Sequence, residues 1–422
     1  EERAVEIAQC NLGDVLGWKE AFARGAPRVF LHGMIPLSAA ASAAQSAALH
    51  ERLFTIDTHC DTPTASFLRE GWDFAARHDA TTDRSQCDLP RMREGGIDAL
   101  VFAVYVGQLA RTAEGLRCAH EQALRCFERT HAVLAANATA CGLALTADDG
   151  LRLKAEGKRA IYLSIENAYS LGCDPGNVAK FHALGVRMLG LTHMLNNDVA
   201  DASTDPRGAE WGGLSPLGRE IVAEANRLGM VLDASHASDA TLRDLLAVSR
   251  APVVLSHSGP RAVADHPRNV GDELLRALAA NGGVLHINAL PISLVNAPGN
   301  GRTAGIAEVL IQFKDHVLSP ETLAAENQAY AVVCVAHPNP PVTFDDFIRH
   351  IEHAVAVMGI DHVGIGCDFD GGGGDFEGLR DVTDYPNITH ALVARGWGEA
   401  DLAKLWGGNT LRVMRAVAGK RA

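Results

Sequence analysis

The chain has 422 residues, of which 47% are hydrophobic and 21% are charged, and its formal net charge is -13. This balance is typical of a globular protein with a large core, and it excludes a disordered or fibrous chain. The negative charge and the lack of a run rich in lysine and arginine argue against nucleic acid as a partner. No apolar stretch reaches the roughly 18 uninterrupted residues that a membrane span needs, so no membrane-spanning helix is expected.

Residues 1–50 are interpreted as an N-terminal extension that is partly helical. Within it, residues 28–49 combine a modest apolar stretch with small residues in an ASA pattern, after Arg24 and Arg28. This pattern has two interpretations, the remnant of an export signal and an alanine-rich helix. The sequence therefore leaves the compartment open between the cytoplasm and export to a bacterial periplasm.

Eight short apolar runs follow this extension, and each is interpreted as a β-strand. They cover residues 54–61, 96–106, 159–168, 186–194, 230–236, 252–259, 282–290 and 362–371. Amphipathic stretches at 110–136, 215–229 and 238–249 predict helices between strands, the last with Ser238 as its N-cap. Alternating strands and helices predict a parallel sheet, and eight strands are the number that closes a (β/α)8 barrel. We therefore predict one α/β TIM barrel over residues 51–422.

An open, doubly wound sheet is the alternative fold. Such a sheet needs a glycine-rich phosphate fingerprint after its first strand, and DTHCDTPTAS contains none. The GGGG run at 371–374 follows the last strand and lacks the lysine of a P-loop, so it is expected to be a flexible loop. Residues 291–345 are too long for an ordinary connection and predict an elaborated loop or lid after the seventh strand.

Potential metal ligands recur at the ends of the predicted strands. His59 and Asp61 are two residues apart, so a strand would point both side chains to the same face. The other strand ends carry Glu166, His193, His236, His257, Asp368 and Asp370. In a TIM barrel the carboxyl ends of the strands meet at one rim, where functional side chains lie. Each residue alone has a structural explanation, but together they predict a metal site at this rim.

Five of these residues are potential metal ligands, which is more than a single catalytic zinc ion with an open position can bind. They are His59, Asp61, Glu166, His236 and His257. Two ions that share a bridging carboxylate accommodate this set better than one ion. Such ions, about 3.5–4 Å apart, can hold a hydroxide and polarise a carbonyl, as metal-assisted hydrolysis requires.

Seven motifs give the chain a family resemblance. They are IDTHCDTP, SIENAYSLG, GVRMLGLTHMLNN, LDASHASDATL, PVVLSHSGPRAVADHPRNVGDE, HVGIGCDFDG and GGNTLRVM, in this order from about residue 52 to 416. In these motifs the chain resembles the renal (membrane) dipeptidase family, a branch of the amidohydrolase superfamily of metal-dependent (β/α)8 barrels. The resemblance implies zinc-dependent hydrolysis of dipeptides that have a free carboxyl terminus, including a D-residue at that end, by a homodimer.

The resemblance also implies a role for each site residue. His59 and Asp61 would bind one zinc ion, His236 and His257 would bind the other, and Glu166 would bridge the two. His193 would contact the substrate and stabilise the tetrahedral oxyanion, and Arg268 would pair with the substrate carboxylate. Asp368 would act as the general base that takes a proton from the bridging water and passes it to the leaving amine. Asp370 is the alternative to Asp368.

Two other functions stay open beside the dipeptidase. One is another amide or lactone hydrolase on the same metals, because Asn167-Ala168-Tyr169 replaces the Gly-Gly-His run of the mammalian type and reshapes the pocket. The other is a non-catalytic barrel that binds peptides and keeps its metals. Asp368 argues against the second function, because a protein that only binds peptides needs no group to transfer protons.

Overall fold

A computed structural model describes residues 39–315 and 320–420 of the chain. Its strands are β1 (Ile56–Cys60), β2 (Ala99–Tyr105), β3 (Cys141–Leu143), β4 (Arg159–Glu166), β5 (Val186–Gly190), β6 (Val231–Asp233), β7 (Val253–Ser258), β8 (Val284–Ile287) and β9 (Val363–Ile365). Eight of them correspond to the eight predicted strands. Only the short strand β3 lacks a counterpart in the prediction.

These eight strands form the predicted barrel. They pair in the order β1-β2-β4-β5-β6-β7-β8-β9, and every pairing is parallel. The chain after β9 returns to β1, where Cys60 and Phe369 form a parallel bridge that nearly closes the sheet. The (β/α)8 prediction is therefore confirmed, and the open-sheet alternative is wrong. Strand β3 lies outside this path and pairs with the first residues of β4.

Helices occupy most of the chain between the strands. They are α1 (Ala39–Arg52), α2 (Leu89–Glu94), α3 (Ala113–Ala136), α4 (Ala147–Ala155), α5 (Gly176–Ala183), α6 (Pro216–Leu228), α7 (Asp239–Val248), α8 (Asp272–Ala280), α9 (Pro291–Leu294), α10 (Arg302–Phe313), α11 (Pro320–Ala336), α12 (Phe344–Met358), α13 (Tyr385–Ala394), α14 (Glu399–Ala403) and α15 (Asn409–Ala418). The Ser238 side chain accepts a hydrogen bond from the Thr241 backbone N–H at the start of α7, as predicted.

Two apolar layers hold the barrel together. The larger one packs the outward side chains of the strands, such as Leu163 of β4, against the surrounding helices. The smaller one gathers alternate strand residues, including Ala160 and Tyr162 of β4, with Val413 of α15. Strands buried on both faces are expected for a parallel sheet covered by helices. Because side chains alternate along a strand, Glu166 lies on the same face of β4 as Ala160 and Tyr162.

Several strands end earlier than predicted. The prediction extended β6 to residue 236 and β9 to residue 371, whereas they end at Asp233 and Ile365. His236 and Asp368 have φ angles of 66°, in the left-handed region that an extended strand does not use. The chain therefore leaves the sheet before these residues, and they lie on the loops just above the barrel.

The segment 291–345 was predicted to be an elaborated loop or lid. It follows β8, the seventh strand of the barrel, and contains α9, α10, α11 and the start of α12. Helices α10 and α11 pack closely: a side chain on Gly305 would contact Val333. The Arg302 guanidinium donates a 3.0 Å hydrogen bond to the carbonyl of His337, just after α11. These contacts pack α10 and α11 against each other, so this part of the predicted loop or lid is a helical pair.

The predicted N-terminal extension is described in part. Residues 1–38 lie outside the described residues, and with them the start of the 28–49 stretch. Helix α1 follows, and its His50 bonds to Thr389 (2.7 Å) and to the Gly95 carbonyl (3.1 Å). Within residues 39–315 and 320–420, no helix combines the length and the hydropathy needed to cross a bilayer.

Candidate active site

The end of β1 brings His59 and Asp61 together. His59 Nε2 lies 3.2 Å from Asp61 Oδ2, and both side chains are buried. The Asp61 backbone N–H donates a 2.9 Å hydrogen bond to the carbonyl of Phe369, which holds the loop after β9 against β1. The two side chains therefore converge, as their spacing predicts.

Glu166 lies between two groups of histidines. Its Oε2 atom is 3.4 Å from His59 Nε2. Its Oε1 atom is 3.0 Å from His236 Nε2 and 3.6 Å from His257 Nε2. One carboxylate thus presents one oxygen to the His59 side and the other to the His236 and His257 side.

The surroundings of His257 determine which of its ring nitrogens carries a proton. The Ser256 hydroxyl donates to the carboxylate of Asp233, so it can only accept from His257 Nδ1, which is 2.8 Å away. The Nε2 atom then has its lone pair available, and it faces His236 Nε2 at 2.9 Å. A histidine fixed in this way by a partner behind it is a common feature of metal sites.

Burial and charge set the pKa values of the cluster. Burial alone would raise the pKa of the Glu166 carboxyl, but His59 and His236 outweigh it and hold that pKa well below its usual value. Burial raises the pKa of the Asp61 carboxyl, and the neighbouring Glu166 raises it further. Burial, Asp61 and Glu166 together raise the pKa of Asp368 well above its usual value. The carboxylates therefore repel one another, and a bound cation would relieve this repulsion.

The side chains fit a bound divalent metal. Three groups place their ligand atoms within 4.8 Å of one another: His59, Asp61 and Glu166; Glu166, His236 and His257; and His59, His257 and Asp368. Histidine nitrogen and carboxylate oxygen are ligands that zinc prefers. Among the described residues, the buried His59 Nε2 has no hydrogen-bond partner, although three carboxylates lie within 4 Å of it. A nitrogen in this position suits metal coordination.

The loop after β9 carries Asp368 and Asp370 in different surroundings. Asp368 Oδ1 lies 3.8 Å from His59 Nε2, at the edge of the cluster. Asp370 instead accepts 2.6 Å hydrogen bonds from the Thr62 hydroxyl and from the Gln86 backbone N–H, one on each oxygen. Asp368 therefore faces the metal ligands, whereas Asp370 holds neighbouring loops together.

A cavity of about 320 Å³ opens above this cluster. His193 and Arg268 both line it, and the His193 ring lies 4.4 Å from the His236 ring. Arg268 is only 5% exposed and uses Nη2 to donate a 3.0 Å hydrogen bond to the His257 carbonyl. Within the described part of the chain, Arg268 Nη1 has no hydrogen-bond partner. A buried guanidinium with an unused N–H suits a carboxylate ligand.

Comparisons with known proteins match both the sequence and the barrel of this chain. The sequence model for the membrane dipeptidase family, peptidase family M19, matches residues 43–422. The chain belongs to this family. It is 32% identical over 357 residues to dipeptidase tcpJ of Claviceps purpurea (strain 20.1), with 83% of this chain and 74% of that protein covered. It is 31% identical over 382 residues to dipeptidase 3 of Rattus norvegicus, with 88% and 67% covered.

A solved structure supports the same assignment. The crystal structure of the probable dipeptidase PvdM from Pseudomonas aeruginosa superimposes with a TM-score of 0.77 at 29% identity. The match covers 91% of this chain and 100% of that chain. The family and the ligand cluster together make the chain a metallo-dipeptidase.

Two buried carboxylates that support the dipeptidase site were not predicted from the sequence. Asp57 accepts hydrogen bonds from the backbone N–H groups of His59 (2.9 Å) and Cys367 (2.8 Å), and so joins the ends of β1 and β9. Asp233 fixes His257 through Ser256, as described above. The sequence does contain a signal for both residues, because each is a carboxylate inside an otherwise apolar strand, in FTIDTH and MVLDAS. A buried carboxylate needs hydrogen-bond partners, which indicates a structural role.

The glycine run at 371–374 is a closely packed turn, whereas the sequence predicted a flexible loop. A Cβ atom on Gly371 would lie 2.2 Å from Asp61 Oδ2 and 2.3 Å from Asp368 Oδ1. A Cβ atom on Gly373 would lie 1.8 Å from the carbonyl oxygen of Cys367. The turn therefore needs glycine so that the backbone can pass close to the site.

Gly371→Ala is expected to lower kcat/KM for dipeptides by at least about a hundredfold, because the new methyl group would displace Asp61 and Asp368. Metal content and hydrolysis rate are the measurements. Gly271→Ala is the matched control, since a Cβ atom there meets nothing within 4 Å. Equal activity in the two variants would show that the turn tolerates a side chain.

Proposed function

We propose that this metallo-dipeptidase hydrolyses dipeptides with a free carboxyl terminus at a site that binds two zinc ions bridged by Glu166. The supporting observation is that the ligand cluster adjoins the cavity lined by the buried guanidinium of Arg268. His59 and Asp61 would hold one ion, and His236 and His257 would hold the other. The two oxygens of Glu166 already face these two groups separately.

The bound ions would supply an activated water and polarise the scissile carbonyl. The remaining steps belong to the protein. Arg268 would hold the substrate carboxylate with its unused Nη1. Burial lowers the pKa of His193 to about 4, so its ring is neutral and can donate a hydrogen bond to the oxygen that gains charge. Asp368 would accept a proton and deliver it to the leaving amine.

The test is a hydrolysis panel on the wild-type enzyme together with its zinc content. The panel contains L-Ala-L-Ala, L-Ala-D-Ala, the amide of L-Ala-L-Ala, N-acetylalanine and a small lactone. The panel includes both L- and D-alanine at the carboxyl-terminal position, because a guanidinium can bind the carboxylate of either residue. We expect about two zinc ions per chain and hydrolysis of the two free dipeptides. Preferred hydrolysis of N-acetylalanine or the lactone would instead favour the alternative hydrolase.

Arg268→Gln is expected to raise KM for L-Ala-L-Ala by about a hundredfold, because the substrate carboxylate would lose its buried partner. The amide of L-Ala-L-Ala lacks the negative carboxylate, so we expect the wild-type enzyme to hydrolyse it poorly. Its rate should therefore change little in Arg268→Gln. Arg276→Gln on α8 is the matched control, with a side chain that is 63% exposed. An unchanged KM in Arg268→Gln would remove this residue from the substrate site. The homodimer implied by the resemblance stays a prediction.

A further inference from the structure

Helix α10 forms one wall of the active-site cavity. Thr303, Ile306 and Leu310 all line the cavity. Their spacing of three and four residues places them on one face of the helix. This face changes from polar to apolar along its length, which suggests that its two ends meet different parts of the substrate.

The polar end of this face lies next to the proposed carboxylate site. The Thr303 hydroxyl is 2.9 Å from His266 Nε2. His266 Nδ1 accepts a 3.2 Å hydrogen bond from the backbone N–H of Arg268. One imidazole therefore connects the start of α10 to the residue that would bind the carboxyl terminus of the substrate.

The apolar end of this face borders a second, smaller void. Leu310 borders this void, whose other lining residues are Tyr105, Met194, Leu195, His193, Gln108 and Asn167. Met194 and Tyr330 of α11 line the main cavity as well. This end of the wall is therefore built mainly from apolar and aromatic side chains.

The length of the wall indicates which substrate residue it meets. Thr303 and Leu310 are seven residues apart, which is about 10 Å along a helix axis. Two extended residues span only about 7 Å. With its carboxylate at Arg268, a dipeptide would place its amino-terminal residue toward Leu310.

We propose that α10 selects the substrate: Ile306 and Leu310, together with Met194 and Tyr330, form a pocket for a large apolar side chain on the amino-terminal residue of the dipeptide. The inference rests on the proposed function, because Arg268 sets the direction of the substrate. It makes dipeptides that begin with leucine or phenylalanine the preferred substrate class.

Arg302 also lines this cavity and could favour an acidic side chain instead. Its Nη1 atom, however, donates to the carbonyls of Cys334 (3.3 Å) and His337 (3.0 Å) at the end of α11. This guanidinium therefore holds the two helices together, and the apolar residues dominate the pocket.

The first test compares kcat/KM for Leu-Ala, Ala-Leu, Gly-Ala and Glu-Ala on the zinc-loaded wild-type enzyme. We expect Leu-Ala to exceed Gly-Ala by about tenfold or more. Equal values, or a preference for Glu-Ala, would overturn the inference. A preference for Ala-Leu over Leu-Ala would overturn the assignment to the amino-terminal residue.

The second test changes the wall. Leu310→Gln is expected to lower the Leu-Ala to Gly-Ala ratio of kcat/KM by about tenfold. Leu310→Ala is expected to raise the Phe-Ala to Leu-Ala ratio, because it makes room for a larger side chain. Leu151→Gln on α4, where the leucine is 39% exposed, is the matched control and should leave these ratios unchanged. Wild-type ratios in both folded Leu310 variants would overturn the inference.

These outcomes separate the inference from the proposed function. Hydrolysis of all four dipeptides at similar rates would refute the pocket and leave the proposed function standing. Hydrolysis of none of them by the zinc-loaded enzyme would refute both.

Discussion

Replacing Glu166 with glutamine is expected to lower both the zinc content and kcat/KM for dipeptides, the latter by more than about a hundredfold. A carboxylate has two oxygens that can each accept a metal, whereas an amide keeps one oxygen and presents an NH2 group. Because the two oxygens face His59 and His236 separately, the amide would leave one half of the site without its shared ligand. Plasma emission spectrometry gives the zinc per chain, and steady-state kinetics gives the rate.

Glu121→Gln provides the control for the Glu166 experiment. Glu121 lies on α3 and pairs with Arg117 at the surface, so its substitution should change neither zinc content nor activity. A Glu166→Gln protein with two zinc ions and wild-type activity would show that Glu166 does not bridge the metals. Zinc content lowered by half with no activity would indicate that one ion depends on Glu166 more than the other.

The candidate site could be located from the sequence because its residues follow strands. His59 and Asp61 lie two residues apart at one strand end, and Glu166 ends another. In a parallel barrel all such ends reach the same rim, so residues that are distant in sequence become neighbours without any detailed knowledge of packing. Strand order and periodicity therefore sufficed to bring these side chains together.

Other features depend on contacts that no local pattern encodes. The role of Asp57 depends on Cys367, which is 310 positions away in the sequence. Strand β3 has three residues, too few for an alternating pattern to show. Strands β6 and β9 end before His236 and Asp368, which have positive φ angles, although the predicted strands ran through both residues.

The wall formed by α10 illustrates the same limit for specificity. The sequence showed that residues 291–345 are too long for a simple connection, but the helical face that lines the cavity depends on how α10 and α11 pack. The contact between His266 and Thr303 connects the start of α10 to Arg268. The proposed substrate preference therefore depends on a segment whose position only the structure provides.

Asp368→Asn is expected to lower kcat for dipeptides by about 10²–10⁴-fold while the zinc content stays at the wild-type value. Asparagine keeps the shape of the side chain but cannot accept and release a proton in the same way. It also tolerates the φ of 66° at this position, so the backbone should stay in place. Zinc content and kcat, measured on the same preparation, separate proton transfer from metal binding. A variant that loses zinc would instead make Asp368 a metal ligand, which its place beside His59 and His257 allows.

Asp370→Asn is the matched control for Asp368, and it tests the alternative between the two residues. Both have nearly the same φ angle, 66° for Asp368 and 65° for Asp370. The oxygens of Asp370, however, already accept hydrogen bonds from Thr62 and Gln86 and are not free to move a proton between water and substrate. Its substitution should therefore weaken the loop and lower kcat by less than about tenfold. A larger loss of kcat in Asp370→Asn than in Asp368→Asn would assign the proton transfer to Asp370.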